Sequence, residues 1–236
     1  MRLFMIDSPI TVALAGNPNV GKSTIFNGLT GMHQRTANWA GVTVSAAEGS
    51  YSYLGQEYRL VDLPGIYSLS SRSDEERVSE QFLSSGKAQV IVTVCDATCL
   101  ERGLRLLKQI LCLDPVQDSA VPLVLCVNLC DEAASRGISI DFSLLEDVLQ
   151  IPVVSCCAHA ASSLDDVKAA VAGAAKRTFS YECLDFSPKK LASEAVVFSQ
   201  GHYRPLEARL DRLFTGPVTG VCVLLALLFF LFWLTM

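Results

Sequence analysis

"GNPNVGKST", Gly16 to Thr24, decides the fold. It fits G-x-x-x-x-G-K-[ST], and its setting matters as much as its letters. "ITVALAG" before it reads as a β-strand, and "GKSTIFNGLTG" opens a helix. A glycine-rich turn between a strand and a helix lets successive backbone N–H groups and the helix N-terminus surround a phosphate chain. In this loop Gly16, Asn17, Pro18, Asn19, Val20, Gly21 and Thr24 are expected to wrap the phosphates. Lys22 would lie between the β- and γ-phosphates, and Ser23 would offer its hydroxyl to Mg²⁺.

Working outward, the chain alternates strand and helix patterns. "EGSYSYLGQEYRLVDLPG" reads as two strands about a Leu-Gly turn, and "AQVIVTVCDA" as a buried strand. "LERGLRLLKQILCL" is an amphipathic helix, and "VPLVLCVNLCDE" is a strand running into a loop. "IDFSLLEDVLQ" is a helix, "IPVVSCCA" a strand and "SLDDVKAAVAGAAKR" a helix. This order predicts an α/β domain with a mostly parallel sheet covered by helices on both faces, its ligand at the carboxyl ends of the strands.

Further motifs fall at those ends. "NWAGVTV", Asn38 to Val44, follows a polar, irregular stretch. Within it Gly41, Val42, Thr43 and Val44 are candidates for nucleotide contact, Thr43 binding Mg²⁺ through its hydroxyl and the γ-phosphate through its N–H. "DLPGIYS", Asp62 to Ser68, holds Asp62 for Mg²⁺ through water, then Leu63, Pro64 and Gly65, whose N–H would sense the γ-phosphate. In "VNLCD" the Asn-x-x-Asp pattern reads guanine: Asp131 can accept from N1–H and N2–H₂, donors adenine does not present. Asn128 would tie this loop to the phosphate loop, Leu129 would pack on the base where a lysine is common, and Cys130 lies between. "SCCA" ends the last strand. There Cys156, Cys157 and Ala158 would present a backbone N–H to the guanine O6.

These motifs, in order and at strand ends, resemble a Ras-like P-loop GTPase domain of the translation-factor-related class. In Ras-like switches a glutamine follows the Asp-x-x-Gly glycine and orients the attacking water; here Ile66 stands in that place. "GNPNVGKSTIFNGLTG", "NWAGVTV", "DLPGIYSLS" and "LDRLFTGPVTG" together resemble the FeoB family, the bacterial ferrous iron transporters, from about Thr11 to Met236. The resemblance implies a cytoplasmic GTPase domain joined through a helical spacer to a multi-helix Fe²⁺ permease. It also implies slow, K⁺-stimulated hydrolysis. Asn19 would bind K⁺ beside the β- and γ-phosphates, with switch carbonyls near Asn38 to Gly41 completing that site. Catalysis would then rest on Asn19, Lys22, Thr43 and Gly65, with Mg²⁺ and K⁺ as cofactors and GTP and GDP as ligands.

Composition fits this reading. Hydrophobic residues make up 50% of the 236 and mean hydropathy is +0.36. The apolar excess sits in "GPVTGVCVLLALLFFLFWLTM", about 20 residues and long enough for a transmembrane helix. Lys189, Lys190, Arg204, Arg209 and Arg212 precede it, which places the N-terminal part in the cytoplasm by the positive-inside rule. "MRLFMIDSPI" is too short in its apolar part for a signal peptide. The nine cysteines are scattered through apolar segments and agree with a reducing compartment. Net charge is −5, with no basic stripe for nucleic acid.

The expected organisation is a GTPase domain over 1–178, a short helical spacer over 179–214 and one transmembrane helix over 215–236, at the bacterial inner membrane. Membrane lipid and the remaining permease helices, or a separate transport subunit, are the expected partners, and a homo-oligomer is left open. The spacer is shorter than the GDP-stabilising helical domain of many family members. Two other readings compete: an anchored GTPase of ribosome assembly or tRNA modification, and a non-catalytic GTP-dependent binding module in which Ile66 marks lost activity.

Overall fold

A computed structural model describes residues 8–31, 35–38, 45–69, 74–157, 160–177, 186–198 and 219–235. Three strands form its centre: β1 (Ile10–Gly16), β5 (Val90–Asp96) and β6 (Leu123–Asn128). Their sequences are continuous apolar, β-branched runs, and their residues are almost wholly buried. Strands buried on both faces carry this pattern because helices cover each side. Around them lie β2 (Arg35–Asn38), β3 (Ser45–Tyr53), β4 (Gln56–Asp62) and β8 (Val153–Ser155). Among the described residues these form a seven-stranded sheet in the order β2-β3-β4-β1-β5-β6-β8.

The five strands from β4 to β8 are parallel. The β3–β4 hairpin is antiparallel about Leu54 and Gly55, both with positive φ (+49° and +80°), the backbone a two-residue hairpin turn requires. The Leu-Gly turn read from the sequence is therefore present. β2 pairs antiparallel with β3, so Arg35–Asn38 is a strand within a stretch whose polar composition suggested only irregular chain.

One sheet face is covered by α1 (Lys22–Thr30) and α7 (Ala161–Ala174), whose Ile25, Phe26, Leu29, Val167 and Val171 join one buried cluster. The other face carries α3 (Leu100–Leu111), with Leu104, Leu107 and Ile110, and α6 (Phe142–Leu149), with Leu145 and Leu149. α2 (Asp74–Ser84), α4 (Asp114–Ser119) and the six-residue α5 (Cys130–Ser135) complete this part.

α8 (Pro188–Ala195) begins with a side-chain cap and a proline. Ser187 caps it by accepting from the Lys190 N–H, and Pro188 holds the first position. Phe186, Leu191, Ala192 and Ala195 pack into the α3-side core. Immediately after, β9 (Val196–Phe198) pairs antiparallel with β7 (Ile138–Ile140). Residues 186–198 are thus packed on the sheet domain.

The expected transmembrane helix is not reproduced as such. Among the described residues no helix is long and apolar enough to cross a membrane. α9 (Thr219–Thr235) has 17 residues, about 26 Å at 1.5 Å per residue, against a hydrocarbon core of about 30 Å. It is apolar all round, with every residue from Leu228 to Leu234 exposed. Residues 215–218 and Met236 of the expected span lie outside the described residues.

Candidate functional site

The β1–α1 loop turns twice through left-handed backbone, at Asn19 (φ +64°) and Gly21 (φ +84°). A side chain is barred at Gly21, because a Cβ there would lie 2.3 Å from Asn128 Nδ2. Helix α1 starts at Lys22 with no side-chain cap, so its first N–H groups are open to an anion. Lys22 folds back over the loop. Its Nζ donates to the Gly16 carbonyl at 3.3 Å and the Asn17 carbonyl at 3.2 Å. Burial lowers its pKa, and the Asp62 carboxylate opposes that shift. An ammonium held on two carbonyls in a buried place is matched by an anionic ligand. Asn19, Ser23 and Thr24 are exposed around the rim, and Pro18 is half-buried beneath it.

The second loop follows β4. Ser23 Oγ donates to Asp62 Oδ2 at 2.9 Å, which joins the phosphate loop to the Asp-x-x-Gly segment. The other carboxylate oxygen, Asp62 Oδ1, is buried without a hydrogen-bond partner. Burial raises the Asp62 pKa, opposed by the Ser23 hydrogen bond and the Lys22 charge. A hydroxyl and an under-satisfied carboxylate side by side fit a hard divalent cation such as Mg²⁺, which takes oxygen ligands. Gly65 sits against the phosphate loop, and a Cβ there would come within 2.9 Å of Pro18 Cα.

Ile66, the residue standing where a glutamine is usual, is a core residue. Its side chain is 0% exposed and packs in the α3-side cluster with Leu63 and Leu69. The segment is irregular, so no periodic pattern announces this burial.

The two segments expected to read the base meet beside the phosphate loop. Asn128, wholly buried at the end of β6, donates from Nδ2 to the Val20 carbonyl at 2.9 Å. That is the tie expected of it. Leu129 adopts left-handed backbone (φ +61°) and caps α5. Cys130 and Asp131 therefore lie in the first turn of a helix rather than in a loop, with Asp131 exposed. Cys156 N–H donates to the Val127 carbonyl at 2.7 Å and Cys130 N–H to the Cys156 carbonyl at 3.5 Å, which binds the two base loops together. Ser163, in the first turn of α7, accepts from the Cys157 N–H at 3.3 Å and lies 2.7 Å from the Cys157 carbonyl. Sequence reasoning missed this support, although a serine at the start of a helix beside that loop was available as a signal. Gly41, Val42, Thr43, Val44 and Ala158 lie outside the described residues, as does the stretch 39–40 beside Asn38.

The comparisons with known proteins agree with this geometry. The family model described as ferrous iron transport protein B matches residues 10–171. The Fe(2+) transporter FeoB of Campylobacter jejuni is 34% identical over 240 residues, covering 96% of this chain and 38% of that protein. The Fe(2+) transporter FeoB of Escherichia coli K12 is 39% identical over 166 residues, covering 69% of this chain and 21% of that protein. The chain thus spans about two fifths of the first relative and one fifth of the second. Among solved structures, the apo cytosolic domain of the T. maritima FeoB iron transporter matches with a TM-score of 0.66 and 38% identity, covering 72% of this chain and 65% of that one. The GMPPNP form of that domain matches with a TM-score of 0.67 and 32% identity, covering 88% and 75%.

Proposed function

The chain belongs to the ferrous iron transport protein B family, and from that premise we propose that it binds and slowly hydrolyses GTP as the cytoplasmic switch of an Fe²⁺ transporter in the bacterial inner membrane. The observation that carries this reading is the cross-tied phosphate loop. Ser23 joins it to Asp62, and Asn128 joins it to the base-reading loop. A loop tied on one side to a γ-phosphate sensor and on the other to a base reader ties base recognition to phosphate sensing.

Residue roles follow from position. Lys22 would release the Gly16 and Asn17 carbonyls for the β- and γ-phosphate oxygens, and the open amides of α1 would hold the β-phosphate. The Gly65 N–H would contact the γ-phosphate. Asp131 would accept from the guanine edge, while Leu129 and the Cys156–Ala158 loop would flank the base. Ser23, Asp62 and Thr43 would hold Mg²⁺, which when bound offsets charge on the β- and γ-phosphate oxygens.

Because Ile66 is in the core, it leaves no side chain to orient water. We assign the missing electrostatic help to K⁺, held by the exposed Asn19 carboxamide and switch carbonyls near 38–41, offsetting developing charge as an arginine does in other GTPases. Residues 179–214 act as the spacer, with α9 inside the first membrane segment, and the remaining permease helices or a separate subunit complete the iron path. Hydrolysis of GTP is expected to be faster in KCl than in NaCl at equal ionic strength, and Asn19→Ala is expected to remove the difference. Equal rates in the two salts for the unsubstituted chain would rule out the K⁺ site.

A further inference from the structure

The segment Asp62–Ile66 is held by hydrogen bonds at several of its backbone groups. Leu63 N–H donates to the Leu14 carbonyl at 3.1 Å, and Ile66 N–H to the Gly16 carbonyl at 3.1 Å. Ser79 Oγ, on α2 and wholly buried, donates to the Pro64 carbonyl at 2.9 Å. Asn17, 1% exposed, donates from Nδ2 to the Ile66 carbonyl at 2.8 Å, across 49 positions of sequence. The Leu63 and Ile66 side chains are anchored in the core. Amid these ties the Gly65 N–H has no hydrogen-bond partner among the described residues. An unmatched donor in a turn anchored on both sides is an arrangement that awaits an acceptor.

We infer that Asn17 is a positioning residue for γ-phosphate recognition: its carboxamide holds the Ile66–Tyr67 peptide, the Gly16 carbonyl holds the adjoining Gly65–Ile66 peptide, and together they preset the Gly65 N–H on the peptide before them. This rests on the GTP reading of the site. Main-chain atoms of the phosphate loop serve GDP and GTP alike, whereas the Gly65 N–H meets only the third phosphate. A donor already oriented needs no reorganisation when the ligand arrives. The Asn17 side chain therefore sets discrimination between the two nucleotides. Asparagine suits the task because it offers an uncharged donor short enough to be buried. Aspartate has the same shape and, when ionised, no donor to give. A buried asparagine kept only for packing would affect both nucleotides equally.

The test uses Asn17→Asp in the full chain, read in two ways. Amide hydrogen exchange of residues 62–69 without nucleotide is expected to speed up about tenfold, the loss of one buried hydrogen bond. Affinity for GMPPNP is expected to fall about fivefold more than affinity for GDP, as for the loss of a well-aimed donor. Ser79→Ala, which frees the carbonyl of the Pro64–Gly65 peptide that carries the Gly65 N–H, is expected to move both readouts the same way, and it carries the test should Asn17→Asp not fold. Unchanged exchange over 62–69, or equal loss of both nucleotides, overturns the positioning role. An unsubstituted chain that binds neither nucleotide overturns the GTP reading instead, and the exchange measurement still decides whether Asn17 holds the segment.

Discussion

Lys22→Ala is expected to lower affinity for GTP about 100-fold or more, the loss of charge-assisted hydrogen bonds to two phosphates at roughly 1.5 kcal/mol each. The residue is 7% exposed, and its charge sits on the Gly16 and Asn17 carbonyls in a place where burial disfavours it. A triphosphate replaces those weak partners with full negative charge, so the gain on binding is large. Without the ammonium, Asp62 also loses the positive charge that partly offsets its burial. Binding should therefore fall while the fold persists, because the lysine stem is the only packing removed. Fluorescent GTP-analogue titration alongside thermal denaturation separates the two. A substituted chain that still binds within about threefold would remove Lys22 from the phosphate site.

Ile66→Gln would restore the residue usual in Ras-like switches, yet it is expected to damage the protein rather than improve it. The side chain is 0% exposed among Leu63, Leu69, Leu107 and other apolar residues of the α3-side core. Burying a carboxamide there forfeits apolar contact and strands polar atoms, at a cost of about 2–4 kcal/mol. The Ile66 backbone is also held at both its N–H and its carbonyl, so it cannot easily swing the new side chain toward a phosphate. Chemical denaturation should show the loss of stability, and hydrolysis should not accelerate. Faster hydrolysis with unchanged stability would mean that position 66 faces the nucleotide.

Much of this architecture was legible in the sequence because it rests on local rules. The phosphate loop needs glycine at a left-handed position, and Gly21 provides it. Strands β1, β5 and β6 are buried on both faces and read as unbroken apolar runs. Asn128 reaches the phosphate loop because the parallel order puts the end of β6 beside it, a placement that strand alternation already implies. What escaped reading depends on partners distant in sequence. The Asn17 carboxamide looks like any turn residue until Ile66 is folded beside it. Ile66 reads only as the absence of a water-orienting glutamine, because its burial depends on core residues of other elements. The pairing of β7 with β9 joins two three-residue strands about 58 positions apart, too short and too distant for a periodic signal. Asp131 falls in a short helix whose first residue follows a left-handed leucine, a backbone choice that composition does not announce.

The central claim is that these loops form a guanine-nucleotide site, and competition between GDP and ADP for a fluorescent GDP analogue in Mg²⁺ tests it most directly. On the proposed reading, Asn128, Asp131 and the Cys156-to-Ala158 segment recognise a base edge that adenine does not present. GDP is therefore expected to compete at least about 100-fold better than ADP, as follows when a site built to pair with particular donors meets a ligand lacking them. Equal competition by the two nucleotides, or no binding of either, would contradict the account.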